Sequence, residues 1–123
     1  TLSPNSIMAA DEGRAGWVKE VYSNEADPYD KLWQDCHGLM DLECGDFLAW
    51  DDGGRVVYLS HDGMVDWHGY VVATSVENFV RDYLLLGAPE PEFGWDIFTA
   101  NSESGISTTS KIARLWIDLF FIE

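Results

Sequence analysis

The sequence predicts an α+β fold, in which an antiparallel β-meander carries helices packed on one face. Three short strand-like runs joined by glycine turns, within 45–73, indicate the meander. After Ala73 the apolar spacing changes from every second residue to a helical period, which indicates helices packed on the sheet. With 123 residues, 46% of them hydrophobic, the chain predicts a single domain over 1–123.

The N-terminal part gives weak signals. Residues 1–16 are small and polar and include Pro4, Gly13 and Gly16, so they predict a loop or a frayed end. The apolar residues that follow fit either a short strand or one face of a helix, and both interpretations stay open: Trp17, Val18, Val21 and Tyr22.

A helix is predicted over 28–36. Asp27 is suited to cap its first turn and Pro28 to occupy its first position. Gly38 fits the end of this helix. Its buried side would carry Tyr29, Leu32, Trp33 and Cys36.

The meander follows from alternation and turn chemistry. Strands are predicted over 47–51, 55–60 and 67–73, where apolar, β-branched and aromatic residues dominate. The Asp-Asp-Gly-Gly run at 51–54 and the His-Asp-Gly run at 61–63 predict the two turns. One face of the sheet is expected to be partly open, because antiparallel sheets can face water on one side.

Helical patterns occupy the rest of the chain. Thr74 and Glu77 fit a capping box, and Gly87 with Pro89 would end the helix that follows. Residues 88–105 predict a loop, and a last helix is predicted to begin within 107–110. The apolar stripes are Val76, Phe79, Val80, Tyr83 and Leu84 in the first helix, and Ile112, Leu115, Trp116 and Leu119 in the last.

Charge excludes several partner classes. Twenty-two acidic residues against seven basic ones give a formal net charge of −15. Nucleic acids and anionic membranes need a basic surface, so we expect neither as a partner. A basic protein is the natural complement, although acidity for solubility alone is an equally available explanation.

No arrangement of residues indicates catalysis or a metal. His61, Asp62, Asp66 and His68 are ligand types without a metal-binding spacing, and His61 and Asp62 are expected to bond their own turn backbone. The acidic pairs, Asp51/Asp52, Glu90/Glu92 and Asp41/Glu43, are typical of solvated turns. A small hydrolase using such carboxylates is the remaining enzymatic alternative. We therefore expect a non-enzyme without metal or cofactor.

The two cysteines, Cys36 and Cys44, form no disulfide framework and are expected to be buried structural thiols. No apolar run reaches the roughly 18 residues that cross a bilayer. The N-terminal residues also lack the charged start and apolar segment of a signal peptide. These features predict a protein of the reducing cytoplasm.

The order of segments over about 44–121 resembles the SUKH superfamily, which includes bacterial immunity proteins against polymorphic toxins and fungal glucan-synthesis regulators. The resemblance rests on Gly45-Asp46 opening a strand, on VVYLSHDG at 56–63, and on the strand–Ser-x-x-x-Phe–helix transition at Ser75 to Phe79. Residues 1–40 match poorly: the family often has an Asn-Gly-Gly-like segment after its first helix, and here Cys36-His37-Gly38 stands nearby. The resemblance implies an α+β fold and protein binding rather than catalysis.

Together, charge and resemblance predict an immunity-type module that blocks a basic toxin domain, such as a nuclease, by occlusion. A scaffold or regulator of the same superfamily without a toxin partner is the alternative. Exposed turns of an acidic meander are suited to a basic partner. The candidate contact residues are Asp51, Asp52, Asp62, Asp66 and Trp67.

Overall fold

The fold is described from a computed structural model, which covers residues 2–63, 65 and 67–85. Within these residues, three helices and a four-stranded antiparallel sheet confirm the α+β class and the meander. The strands lie side by side in chain order. In order, the elements are α1 (Pro4–Glu20), α2 (Pro28–Asp35), β1 (His37–Asp41), β2 (Phe47–Trp50), β3 (Val56–Leu59), β4 (Val71–Ala73) and α3 (Val76–Leu85).

The N-terminal segment is a helix, so the prediction of a loop over 1–16 was wrong. Ser3 and Ser6 cap α1 reciprocally, because the Ser6 amide donates to Ser3 Oγ at 3.1 Å and the Ser3 amide donates to Ser6 Oγ at 2.8 Å. Pro4 occupies the first turn, where its missing N–H costs nothing. Trp17 and Val18 lie in this helix, which decides their open assignment.

The glycine at position 13 reflects packing rather than a loop. A Cβ at Gly13 would lie 3.1 Å from the Phe47 ring, so the missing side chain makes room for β2. Gly38 in the sheet makes room for α1 in the same way, since a Cβ there would lie 2.7 Å from the backbone of Ala10. Gly38 therefore lies within β1, and α2 ends at Asp35 without it.

Helix α2 begins as predicted. The Asp27 side chain accepts from the Tyr29 amide at 2.9 Å, and Pro28 is the first helical residue. The last turn of α2 is hydrogen-bonded to α1, because Arg14 Nη1 donates to the carbonyl of Trp33 at 2.8 Å. A guanidinium at a helix C-terminus also complements the helix dipole. Arg14 is buried and thus links the two helices.

The sheet contains one more strand than expected. The edge strand β1 pairs with β2, with His37 opposite Trp50. The β2–β3 hairpin places Trp50 opposite Val56 and Phe47 opposite Leu59. The predicted strand over 67–73 is shorter, because only 71–73 pair as β4, and the Tyr70 amide instead turns back to the Trp67 carbonyl at 3.0 Å.

Both faces of the sheet are covered, which differs from the expected one-sided packing. One face presents Leu48 and Val56 to Phe79 and Tyr83 of α3. The other face presents its own buried set to the α2 residue Trp33, with Trp17 and Leu32 packed around it: Phe47, Ala49, Val57, Leu59 and Val71. The physical reason is that successive strand residues are all apolar, so each face has a hydrophobic surface to bury.

Helix α3 begins one residue later than predicted. Ser75, not Thr74, is the N-cap, since its Oγ accepts from the Asn78 amide at 3.0 Å and its carbonyl accepts from the Phe79 amide at 3.0 Å. Thr74 Oγ1 accepts from the Asn78 side chain at 2.8 Å. The Glu77 capping box is therefore replaced by a serine cap.

In the predicted stripe of α3, Phe79 and Tyr83 are buried, whereas Val80 and Leu84 are exposed. The predictions at Gly87, over 88–105 and for the last helix lie outside the described residues. Among the described helices, none combines the length and the apolar character that crossing a membrane requires.

Candidate protein-binding surface

The predicted contact residues lie at two opposite ends of the sheet. Asp51 and Asp52 lie in the β2–β3 turn, at what we call the hairpin end (residues 50–55, the junction 35–38 between α2 and β1, and the adjoining α1 residues 7–12). Asp62 and Trp67 lie in the β3–β4 connection, at what we call the network end (residues 42–46, 60–63, 65 and 67–70). Four strand residues, at about 3.4 Å each, separate the two ends by about 14 Å. Asp66 lies outside the described residues.

Asp51 forms hydrogen bonds within the β2–β3 turn. Its Oδ1 accepts from the Arg55 amide at 2.9 Å, and its Oδ2 pairs with Arg55 Nε at 2.9 Å. Its carbonyl accepts from the Gly54 amide at 2.9 Å, and Gly54 has a φ of 81° that favours glycine. The interpretation of Asp51 as a contact acid is thereby weakened, whereas Asp52 is exposed at the tip.

An apolar centre lies beside this turn. The Trp50 and His37 rings stack across the β1–β2 pair, with centroids 5.3 Å apart and an angle of 29° between their planes. Trp50 is half-buried and His37 is exposed. Together with α1 residues they line a cleft of about 340 Å³. The residues from α1 are Ile7, Met8, Asp11 and Glu12, of which Met8 is 63% exposed.

Acidic side chains surround this centre. Asp11 bonds Arg14 Nε at 2.9 Å and the Gly38 amide at 2.8 Å. Burial acts to raise the pKa of Asp11, but these two hydrogen bonds and the guanidinium charge outweigh it, so the pKa is lowered. Asp11 is therefore charged at neutral pH.

The remaining acids of the hairpin end differ in their pairing. Asp35, at the end of α2, pairs with Lys31 at 3.0 Å. That contact raises the pKa of Lys31, with smaller contributions from Glu25 and Asp52. Glu12 and Asp52 take part in none of the ion pairs within the described residues. The uncompensated charge of the hairpin end thus comes from Glu12 and Asp52.

The network end centres on a buried carboxylate. Asp46 Oδ1 accepts from the His61 amide at 2.9 Å and lies 2.5 Å from His61 Nδ1. Its Oδ2 accepts from the Tyr58 hydroxyl. The residue is 7% exposed, so three hydrogen-bonding groups replace the water that it loses. His61 therefore bonds Asp46 across the sheet end, which corrects the expectation that it bonds its own turn.

Aromatic side chains fix the chain that leaves β3. The Tyr22 hydroxyl donates to the His61 carbonyl at 3.0 Å. The Ser60 carbonyl accepts from the Tyr29 hydroxyl and from Trp33 Nε1, the latter at 3.2 Å. These three donors come from α2 and the segment before it. They attach the network end to the helical layer.

His68 is held as a neutral ring. Its Nδ1 accepts from the Ser60 amide at 2.9 Å, which leaves the proton on Nε2, 3.3 Å from the Tyr29 carbonyl. The ring stacks on Tyr29 with centroids 3.8 Å apart. Burial lowers the pKa of His68, against the weaker effect of the Tyr29 carbonyl.

These contacts give the two histidines separate partners. His61 bonds Asp46, and His68 bonds Ser60 and Tyr29. In the described part of the chain, no group of three histidine, cysteine or acidic residues could hold a metal ion. The acidic pair Asp41/Glu43 closes its own turn, since Asp41 Oδ1 accepts from the Glu43 amide at 2.8 Å.

The two cysteines differ. Cys36 is 1% exposed, and burial raises the pKa of its thiol to about 12, with the nearby Asp51 charge acting in the same direction. Cys44 is exposed, so the expectation of a buried thiol is wrong for that residue.

Chemically, the Asp46–His61 pair orients an imidazole in the way that proton-transferring residues are oriented. Both carboxylate oxygens, however, also hold the Tyr58 hydroxyl or the His61 amide, so the pair joins β2 to the β3–β4 connection. Sequence reasoning missed this role. The signal was available in the hairpin, since Trp50 opposite Val56 places position 46 opposite position 60.

The chain was compared with protein families, curated proteins and solved structures. No family model, curated sequence or solved structure matches it. The geometry of the hairpin end is thus the basis for a functional assignment.

Proposed function

We propose that this protein is a non-catalytic protein-binding module, and that its hairpin end receives a basic protein. The observation that carries the proposal is the combination of an accessible apolar cleft with acidic side chains around it. Binding sites of this kind use an apolar centre for affinity and charges at the rim for orientation and rate.

The charge distribution supports this assignment. The net charge of −15 attracts a basic partner over a distance of about one Debye length, roughly 8–10 Å at physiological salt. Glu12 and Asp52 add local negative charge at the cleft and at the turn tip. The half-buried Trp50 supplies the kind of aromatic side chain that is enriched in the energetic centre of interfaces.

The partner that best fits this surface is a toxin domain, and the protein is then an immunity protein of the SUKH type. It would neutralise the toxin by covering its active surface. Nucleases bind phosphate through basic residues, so an acidic surface with an apolar centre is complementary to such a domain. A regulator of the same superfamily without a toxin partner would use the same surface for another basic protein.

The test is capture of the product of the adjacent upstream gene by the tagged protein at low and high salt. Wild type is expected to bind at low salt and to lose binding at high salt. Asp52→Lys is expected to slow association about tenfold, because it reverses a charge at the rim. Asp51 is unsuitable for this test, since it also holds the turn.

The matched control is Glu20→Lys, which makes the same change in net charge at the end of α1. That end lies near the network end, because the Trp17 ring is 5.8 Å from His61. If both variants lose binding equally, the loss follows from the change in overall net charge. The proposal that the hairpin end is the contact surface is then rejected. Capture of a basic protein without toxin activity would favour the regulator over the immunity protein.

A further inference from the structure

We propose that the cleft at the hairpin end binds a single arginine side chain of the partner. This inference rests on the proposed function and specifies its chemistry. The cleft combines an aromatic wall, an aliphatic wall and carboxylates within about 340 Å³. An arginine side chain fits all three features, because its guanidinium group can stack on the aromatic wall and pair with the carboxylates, while its methylene groups contact the aliphatic wall.

The aromatic wall is the Trp50–His37 stack. Guanidinium groups lie flat on aromatic faces, and tryptophan gives the strongest cation–π attraction. The two rings are stacked 29° from parallel, so each covers part of one face of the other, and a guanidinium group would extend this stack on an outer face. Because Trp50 packs on the core cluster that contains Leu48, its position is fixed before a partner arrives.

The opposite wall comes from α1. Residues 7, 8, 11 and 12 share one side of the helix by their three- and four-residue spacing. Ile7 and Met8 offer apolar contact to the methylene groups of an arginine side chain. The exposure of Met8, at 63%, is high for a large apolar residue and would fall when the cleft is occupied.

The carboxylates of Asp11 and Glu12 differ in their role. Asp11 is held in place by the Gly38 amide and by Arg14, so it is a fixed polar group at the cleft wall whose charge Arg14 already compensates. Glu12 is exposed and makes no ion pair within the described residues. A carboxylate that is free to rotate can take a bidentate geometry with guanidinium, which an ammonium group cannot reproduce.

The experiment is an NMR titration of the ¹⁵N-labelled full chain with N-acetyl-L-arginine methylamide. The indole N–H signal of Trp50 and the amides of Met8 and Glu12 are expected to shift and saturate. The corresponding lysine derivative is expected to bind about threefold more weakly, and the uncharged citrulline derivative more weakly still.

Glu12→Gln is expected to weaken arginine binding about threefold, whereas Glu20→Gln, on the same helix, leaves it unchanged. Trp50→Phe keeps an aromatic core contact and is expected to weaken binding by a smaller factor. Both acidic variants preserve side-chain size, so their amide spectra report directly whether the fold is intact.

The inference is overturned if the arginine and lysine derivatives bind equally, or if shifts occur outside the cleft while Trp50 is unaffected. This outcome is separable from failure of the proposed function. Loss of partner capture in Asp52→Lys without arginine binding in the cleft would retain the binding surface and reject the arginine site. If arginine binds in the cleft but Asp52→Lys leaves partner capture unchanged, the arginine site is retained and the hairpin end is rejected as the surface that binds the partner.

Discussion

The hairpin end and the network end use the same residue types in opposite ways. At the network end, Asp46 and the rings of His61 and His68 bond to the chain itself, and Trp33 of the adjoining helix α2 is fully buried and donates its indole N–H to the Ser60 carbonyl. At the hairpin end, His37 and Asp52 are exposed and Trp50 is only half-buried. The comparison shows that Asp46, His61 and His68 take part in bonds that stabilise the fold at the network end, whereas His37 and Asp52 remain accessible at the hairpin end.

The largest expected difference in stability between the two ends comes from removing one acid at each end. Asp46→Ala would leave the Tyr58 hydroxyl and both His61 donors without their acceptor, so it should lower the free energy of unfolding by about 3 kcal/mol. Asp52→Ala, the matched change at the hairpin end, should leave the urea midpoint unchanged. Equal midpoints for the two variants would contradict the contrast between the ends.

A pair of glycines sharpens the comparison. Gly45 and Gly54 both have positive φ, 100° and 81°, so alanine strains either backbone by about 1 kcal/mol. At Gly45 the new Cβ would also lie 2.9 Å from the His61 ring, whereas at Gly54 it meets open space. Gly45→Ala should therefore cost about 2 kcal/mol and Gly54→Ala about 1 kcal/mol in chemical denaturation. A larger loss for Gly54→Ala would be inconsistent with this geometry.

The pH dependence of stability tests the neutral ring of His68. Its pKa is lowered in the folded state, so the unfolded chain binds more protons below about pH 6.5. The contribution of His68 to stability is therefore complete above that pH and is lost as the pH falls through the lowered pKa. Urea midpoints measured on both sides of this range should fall towards acid.

The control is His68→Asn, which keeps an acceptor near the position of Nδ1 but does not titrate. Its midpoint should fall less steeply towards acid than that of wild type, because the remaining slope comes from other groups. Identical slopes in the two proteins would show that His68 does not carry the dependence.

The smallest expected effect is at the exposed ion pair of the hairpin end. Arg55→Ala removes the pair with Asp51 but keeps the Arg55 amide bond that closes the turn. The arginine side chain is 55% exposed, so the loss should be about 0.5 kcal/mol and should shrink at high salt. A loss as large as that of Asp46→Ala would mean that the hairpin end depends on side-chain bonds as strongly as the network end does.

Alternation and turn residues were enough to predict the α+β class, the meander and the α2 cap. The prediction failed at α1, where Gly13 suggested a loop. A Cβ at Gly13 would come within 3.1 Å of the Phe47 ring, a close contact between distant parts of the chain that no local pattern contains. The Ser3–Pro4–Ser6 cap was the local signal for this helix, but its serine at the third position lacks the usual acidic or amide side chain.

The candidate site was predictable in part. Turn chemistry placed Asp51 and Asp52 at a hairpin, as observed. Which turns lie at the same end depends on the number of strands, and the edge strand β1 was not foreseen because Gly38 interrupts its pattern. The cleft needs both β1 and α1, so it could not be inferred from the sequence.

Because the two thiols differ in exposure, their rates of alkylation report how often the folded protein opens locally. Cys44 is exposed and reacts with a maleimide in the folded state, whereas the Cys36 thiol is enclosed and holds its proton strongly. Once Cys44 has been blocked, further alkylation occurs only when the segment between α2 and β1 opens. The rate of that second reaction then measures how often the junction of helix and sheet exposes itself to solvent, without any denaturant.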